Sequence, residues 1–162
     1  MQILILLSLV VSSLALLGFG TKQSVAVKGK LICDGKPAVG VKVKLYEKEA
    51  CMFFVEPISN GTVKNHSMLP LFFEVLDVKM AEGTTDRNGE FLLSGYKTEI
   101  STIDPKVNIY HKCNHKGLCY RKFGITIPDD YITKDKKPKK TYDIGVINLA
   151  NKFTGETTDC IN

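Results

Sequence analysis

The chain has 162 residues, 44% of them hydrophobic and 24% charged, and carries a formal net charge of +5 at pH 7. That length suits one ordinary domain with a sizeable core, and the charged fraction excludes collagen-like, fibrous and fully disordered chains. Thirteen Gly, six Pro and no Trp lean towards a turn-rich β protein, while the basic balance permits attraction to acidic surfaces without specifying one.

From Ile3 to Leu17 every residue is apolar or Ser, and no charged side chain precedes Lys22. The run has the length of a signal-peptide apolar region and is short for a span of ~20 residues. Gly18 and Gly20 put small residues at the −3 and −1 positions of a cut after Gly20. Residues 1–20 are therefore expected to be a signal peptide and 21–162 the mature domain. The mature chain has no second apolar span, so it is expected to be soluble, secreted and extracellular.

Residues 25–33 are rich in β-formers and meet the turn Asp34-Gly35-Lys36-Pro37. Val41-Lys42-Val43-Lys44-Leu45 alternates apolar with polar, the mark of a half-buried strand. Residues 74–80 read as a strand, and Thr85-Asp86-Arg87-Asn88-Gly89 as a tight turn entering another at Phe91. Further strands are expected at 106–112, 120–127 and 141–149, and a short helix within 94–104 is the one non-β element the pattern admits. Seven or eight short strands without a long amphipathic helix point to an all-β, antiparallel sandwich.

Residues 51–73 fit this frame badly. They hold four of the eight Phe, the odd Cys51 and two sequons, at Asn60 and Asn65. Three readings compete: a glycosylated excursion, a hydrophobic interaction loop, or translated sequence that is ordinarily spliced out. The apolar ends would be costly to expose, which favours the last.

His111-Lys112-Cys113-Asn114-His115 has period-two spacing that places His111, Cys113 and His115 on one face, with Cys119 close behind. A zinc or copper site is one reading. The other, favoured in an oxidising compartment, is a Cys113–Cys119 disulfide with both His solvated. Cys33 and Cys160 then form the second pair by elimination, although four Cys allow three connectivities that spacing does not resolve. The second chemistry-bearing stretch is Lys134-Asp135-Lys136-Lys137-Pro138-Lys139-Lys140, near Arg121 and Lys122 in sequence. These residues are candidates for an anionic surface, and equally for a solvated loop that keeps a sheet edge soluble. No nucleophile elbow or related catalytic arrangement occurs, so no catalytic residue and no cofactor are expected.

Several of these pieces together resemble the transthyretin-like proteins of nematodes. They are Val27–Pro37 with the strand Val41–Tyr46, Gly83–Phe91, Ile103-Asp104-Pro105, Ile109–Cys113, Cys119–Lys122, Ile127-Pro128, Lys139–Gly145 and Cys160. The resemblance spans nearly all of the mature chain apart from 51–73 and implies a prealbumin-like β-sandwich. A related branch that hydrolyses 5-hydroxyisourate carries a C-terminal Tyr-Arg-Gly-Ser, whereas this chain ends Thr158-Asp159-Cys160-Ile161-Asn162. The channel residues of the hormone-carrying branch have no placed counterparts here. The expected function is an extracellular, non-enzymatic binding module for a cell-surface receptor or anionic lipid. The alternative is a carrier of a small hydrophobic ligand in a cleft between protomers. Nucleic acid is not an expected partner of a secreted chain.

Overall fold

The computed structural model describes residues 20–52 and 73–161. Its elements are β1 (Thr21–Cys33), β2 (Lys36–Pro37), β3 (Lys42–Met52), β4 (Phe73–Thr84), β5 (Glu90–Glu99), β6 (Pro105–His111) and β7 (Tyr120–Thr126). A 3-10 turn (Asp129–Tyr131), β8 (Thr141–Asn148) and β9 (Thr157–Asp159) follow. Period-two alternation decides which side chains go inside. Val25, Val27 and Leu31 of β1, Phe91 and Leu93 of β5, Val43 and Leu45 of β3, and Val107 and Ile109 of β6 form one buried apolar cluster. Two sheets close over that cluster. One has β1 at its centre, with β5 on one side and β8 on the other; β2 continues the β5 side. The other runs β4-β3-β6-β7-β9.

The expected sandwich is present, with three departures. First, β8 runs parallel to β1, with Val27 opposite Tyr142 and Leu31 opposite Ile147. The chain leaves β7 in the other sheet, crosses at residues 127–140, and re-enters beside β1 in the same direction. Second, residues 94–99 are strand rather than helix, because the β1–β5 ladder runs on to Thr21 opposite Glu99. Third, β3 and β4 pair as far as Met52 opposite Phe73, so the ends of the 51–73 stretch belong to a ladder. Residues 53–72, with both sequons, lie outside the described residues, as does the expected signal peptide up to residue 19.

The turn before β5 is built as its sequence requires. The Asp86 carboxylate accepts from the Asn88 and Glu90 amides at 2.8 Å each. Gly89 has φ +75°, and a Cβ there would lie 2.3 Å from the Leu31 carbonyl oxygen. Only glycine combines that backbone angle with that approach.

The disulfides join Cys33 to Cys113 and Cys119 to Cys160, which corrects the expected Cys113–Cys119 and Cys33–Cys160 pairs. The register supplies the reason for one of them. Tyr120 faces Asp159 across the β7–β9 ladder, so the next position outward sets Cys119 against Cys160. Cys113 sits in a turn whose next residue, Asn114, has φ +54°, and it meets the end of β1.

The C-terminal tail is held by more than sulfur. Arg121 points inward, with Nε and Nη2 donating to the two carboxylate oxygens of Glu156 at 2.6 and 2.8 Å. Its remaining donors reach the carbonyls of Cys113, Leu149 and Asn151. Beside it, opposite in register, is the fully buried His111, whose ring nitrogens find no hydrogen-bond partner among the described residues. Phe123 meets His111 edge-on and stacks on Phe153 of the tail at 4.0 Å.

Two outcomes follow for stability. Arg121→Ala strands Glu156 and three carbonyls, and should cost about 3 kcal/mol in urea unfolding with the disulfides intact; a loss below about 1 kcal/mol would contradict the clamp. Burial, then the Arg121 charge, pushes His111 down to about 4, whereas in the unfolded chain it titrates near ~6.5. Between those values the unfolded chain binds the extra proton, so stability should fall by about 3 kcal/mol as pH drops across that interval. Glu156 is held below the usual carboxylate range by its Arg121 hydrogen bond, so its contribution is present above the ordinary carboxylate value and is lost as pH falls from there through the lowered one. His111→Phe should flatten the profile between ~6.5 and about 4; an unchanged slope in that variant would contradict the assignment.

Candidate functional site

The lysine-rich loop is pinned at both ends to one strand. Thr133 forms a two-way backbone bridge with Ser24, and Thr141 pairs with Ala26 on the same edge of β1. Residues 134–140 therefore leave and re-enter within two positions of β1, and the loop must fold over the sheet rather than extend from it. It does so across the outer face, where Ser24 and Ala26 are buried although both point away from the core. The Lys136 Nζ stands 4.9 Å from the centre of the Tyr96 ring, and Tyr96 lies opposite Ser24 on β5. Inside the loop, the Lys139 amide donates to the Thr133 Oγ1 and the Lys140 Nζ to the Asp130 carbonyl.

All five loop lysines, Lys134, Lys136, Lys137, Lys139 and Lys140, are exposed. Asp135 is the loop's own carboxylate. The neighbouring outer face adds apolar surface: Tyr96 is 46% exposed, Leu92 67% and Val146 65%. Lys28 and Lys30 on the same face are paired with Asp143 and Glu90, whereas the five loop lysines have no carboxylate partner among the described residues. The result is an amphipathic surface, with apolar side chains beside exposed ammonium groups.

Arg121 and Lys122 do not join this patch, because β7 belongs to the other sheet. Arg121 is committed to Glu156 inside the sandwich. Lys122 points outward, ion-paired with Asp159 at 3.6 Å, on a second basic face that sequence reasoning did not single out. There Lys42, Lys44, Lys48 and Lys106 project beside Lys122, with Asp77, Glu82 and Asp159 as carboxylates. Lys44 and Lys122 stand 5.2 and 5.6 Å from the Tyr110 ring centre, and the ring is only 2% exposed beneath them. Burial, then a hydrogen bond with Tyr46, holds the Tyr110 phenol well above its usual range. The signal was in the sequence: the polar half of the Val41–Tyr46 alternation is all lysine until Tyr46.

The His/Cys stretch does not assemble as a metal centre. Cys113 and Cys119 are each in a disulfide, and His111 faces the interior rather than lying solvated beside His115. Among the described residues the one cluster with ligand spacing is Cys33, Asp34 and Cys113, and its two sulfurs are bonded to each other, so neither is a thiolate. No helix among the described residues is long and apolar enough to cross a membrane.

Known proteins carry the same pattern. The profile of the Transthyretin-like family matches residues 28–128. Transthyretin-like protein 5 of Caenorhabditis elegans is 46% identical over 164 aligned residues, covering 100% of each chain. Transthyretin-like protein 2 of the same organism is 43% identical over 94% of this chain and 93% of its own. Transthyretin-like protein 33 is 38% identical over 86% and 83%. On a two-sheet β-sandwich, with matches of this extent, the chain belongs to the transthyretin-like family.

Proposed function

We propose that the protein is a secreted, non-enzymatic binding module that docks on anionic lipid at a cell surface through the 134–140 loop and the adjoining outer face of β5. The observation that carries this reading is the Lys136–Tyr96 contact, which lays an exposed basic loop against exposed apolar side chains on a rigid sheet. Each lysine near a negatively charged bilayer contributes about 1 kcal/mol, and the exposed Leu92, Tyr96 and Val146 supply apolar surface for the headgroup layer. Pinning the loop at Thr133 and Thr141 lowers the entropy lost on docking. Two disulfides suit an extracellular compartment, and so does the expected leader.

The mechanism is capture by charge followed by shallow apolar contact. It predicts binding to phosphatidylserine vesicles that rises with anionic content and weakens from low to physiological salt. Lys134→Glu/Lys137→Glu/Lys139→Glu should weaken it by about 100-fold or more, at about 1 kcal/mol per lysine. Leu92→Ala/Tyr96→Ala should weaken binding less and leave its salt dependence intact. Vesicle sedimentation checks both. Equal binding to neutral vesicles, or an unaffected triple variant, would overturn the proposal.

A further inference from the structure

The outer face of the five-stranded sheet holds a cleft of about 330 Å³ lined by Lys48, Lys106, Lys122, Asn108, Thr126 and Thr157. We propose that this cleft is a binding site for a sulfate or phosphate ester carried on a small hydrophilic molecule such as a sugar. Ladder register builds it from adjacent strands: Lys106 lies opposite Thr126, Asn108 opposite Gly124, and Lys122 opposite Thr157. All of these side chains leave the sheet on the same side, because cross-strand partners share a face. Lys48 enters from the neighbouring strand β3, one residue past its last pairing with β6.

Gly124 keeps the floor open. A Cβ at that position would lie 2.7 Å from the Asn108 Oδ1, so any larger residue would push the Asn108 amide out of place. Asn108 itself is 3% exposed, which makes it a buried polar side chain in the floor of a polar cleft.

The donor set selects the ligand class. Ammonium groups and two hydroxyls meet here, above a floor in which the Asn108 side chain is hydrogen-bonded to Tyr110. Lys106 is paired with Asp77 and Lys122, at a longer 3.6 Å, with Asp159. Lys48 has no carboxylate partner among the described residues. Lysines act as point charges suited to a tetrahedral oxyanion, whereas planar carboxylates are best met by the fork of an arginine. Arg121, the arginine of this strand, is turned inward and occupied. Thr126 and Thr157 add hydroxyls for the bridging or sugar oxygens. Phe123 lines the cleft but is itself a buried core residue, so the walls offer no apolar platform and the carrier is hydrophilic. The loop on the opposite sheet has exposed apolar neighbours, Leu92, Tyr96 and Val146; the two surfaces therefore differ in chemistry, and this site does not rest on the lipid reading.

The test is calorimetric titration of the full chain with three probes: inorganic sulfate, a sulfated disaccharide and inositol trisphosphate. At least one ester should bind more tightly than inorganic sulfate, and the tighter ester identifies the source. Lys48→Gln and Lys122→Gln should each weaken that ester by about tenfold, while Lys36→Gln, an equal loss of charge on the exposed strand β2, should not. Melting of each variant followed by circular dichroism establishes that it is folded. Neither ester binding more tightly than inorganic sulfate would overturn the proposal, and so would equal weakening by all three substitutions.

Discussion

The two-residue period of the strands, imposed on a chain with a net charge of +5 whose strand β3 alternates lysine with apolar residues, governs both the core and the surface of this protein. Burying Val43 and Leu45 on β3 and Val107 and Ile109 on β6 obliges Lys42, Lys44 and Lys106 to stand together on the opposite face. The surface answers that crowding in two ways. Carboxylates from β4 and β9 neutralise part of it, and Tyr110 takes lysines over its ring while their aliphatic stems shield it from water. A basic, tyrosine-containing face is thus a consequence of filling the core. A slip of one residue in register would exchange the two faces and bury the lysines.

The smaller sheet solves a different problem. It has β1 at its centre and strands on both sides, so its outer face is broad enough to need cover near Ser24 and Ala26. The lysine loop provides that cover, and its attachment at Thr133 and Thr141 fixes where the charges sit. At the opposite end of the molecule the Arg121 guanidinium gathers a carboxylate and three carbonyls, and the Cys119–Cys160 bond fastens the tail beside it. The lysine loop therefore rests on backbone pairing with β1, and the five-stranded sheet on a tail closed by a disulfide and a charge-assisted clamp. Such a framework presents side chains with little reorganisation on binding.

Much of this was legible in the residues alone. The alternation of Val41–Tyr46, the turn around Asp86 and Gly89, and the lysine density of 134–140 each have local causes, and local causes can be read locally. The parallel placement of β8, the disulfide partners and the inward turn of Arg121 have non-local ones. Periodicity says which face of a strand is buried, but not which strand lies beside it. Cys113 and Cys119 are near in sequence, yet Cys119 is set against Cys160 by a β7–β9 ladder that only the folded tail creates. The cleft is hidden for the same reason, since Lys48, Lys106, Lys122 and Thr157 come from four strands. The lysine loop is contiguous, but its apolar neighbours Leu92, Tyr96 and Val146 are distant in sequence, so its amphipathic character appears only in three dimensions.

The central claim is that two basic surfaces on opposite sheets recognise different chemistry. Amide chemical-shift mapping of the isotope-labelled protein tests it directly, using phosphatidylserine nanodiscs in one titration and a sulfated disaccharide in the other. The account predicts that nanodiscs perturb residues 92–96 and 133–141, and that the disaccharide perturbs 106–108, 122–126 and 155–157. One common set of amides responding to both ligands, on either sheet, would contradict it.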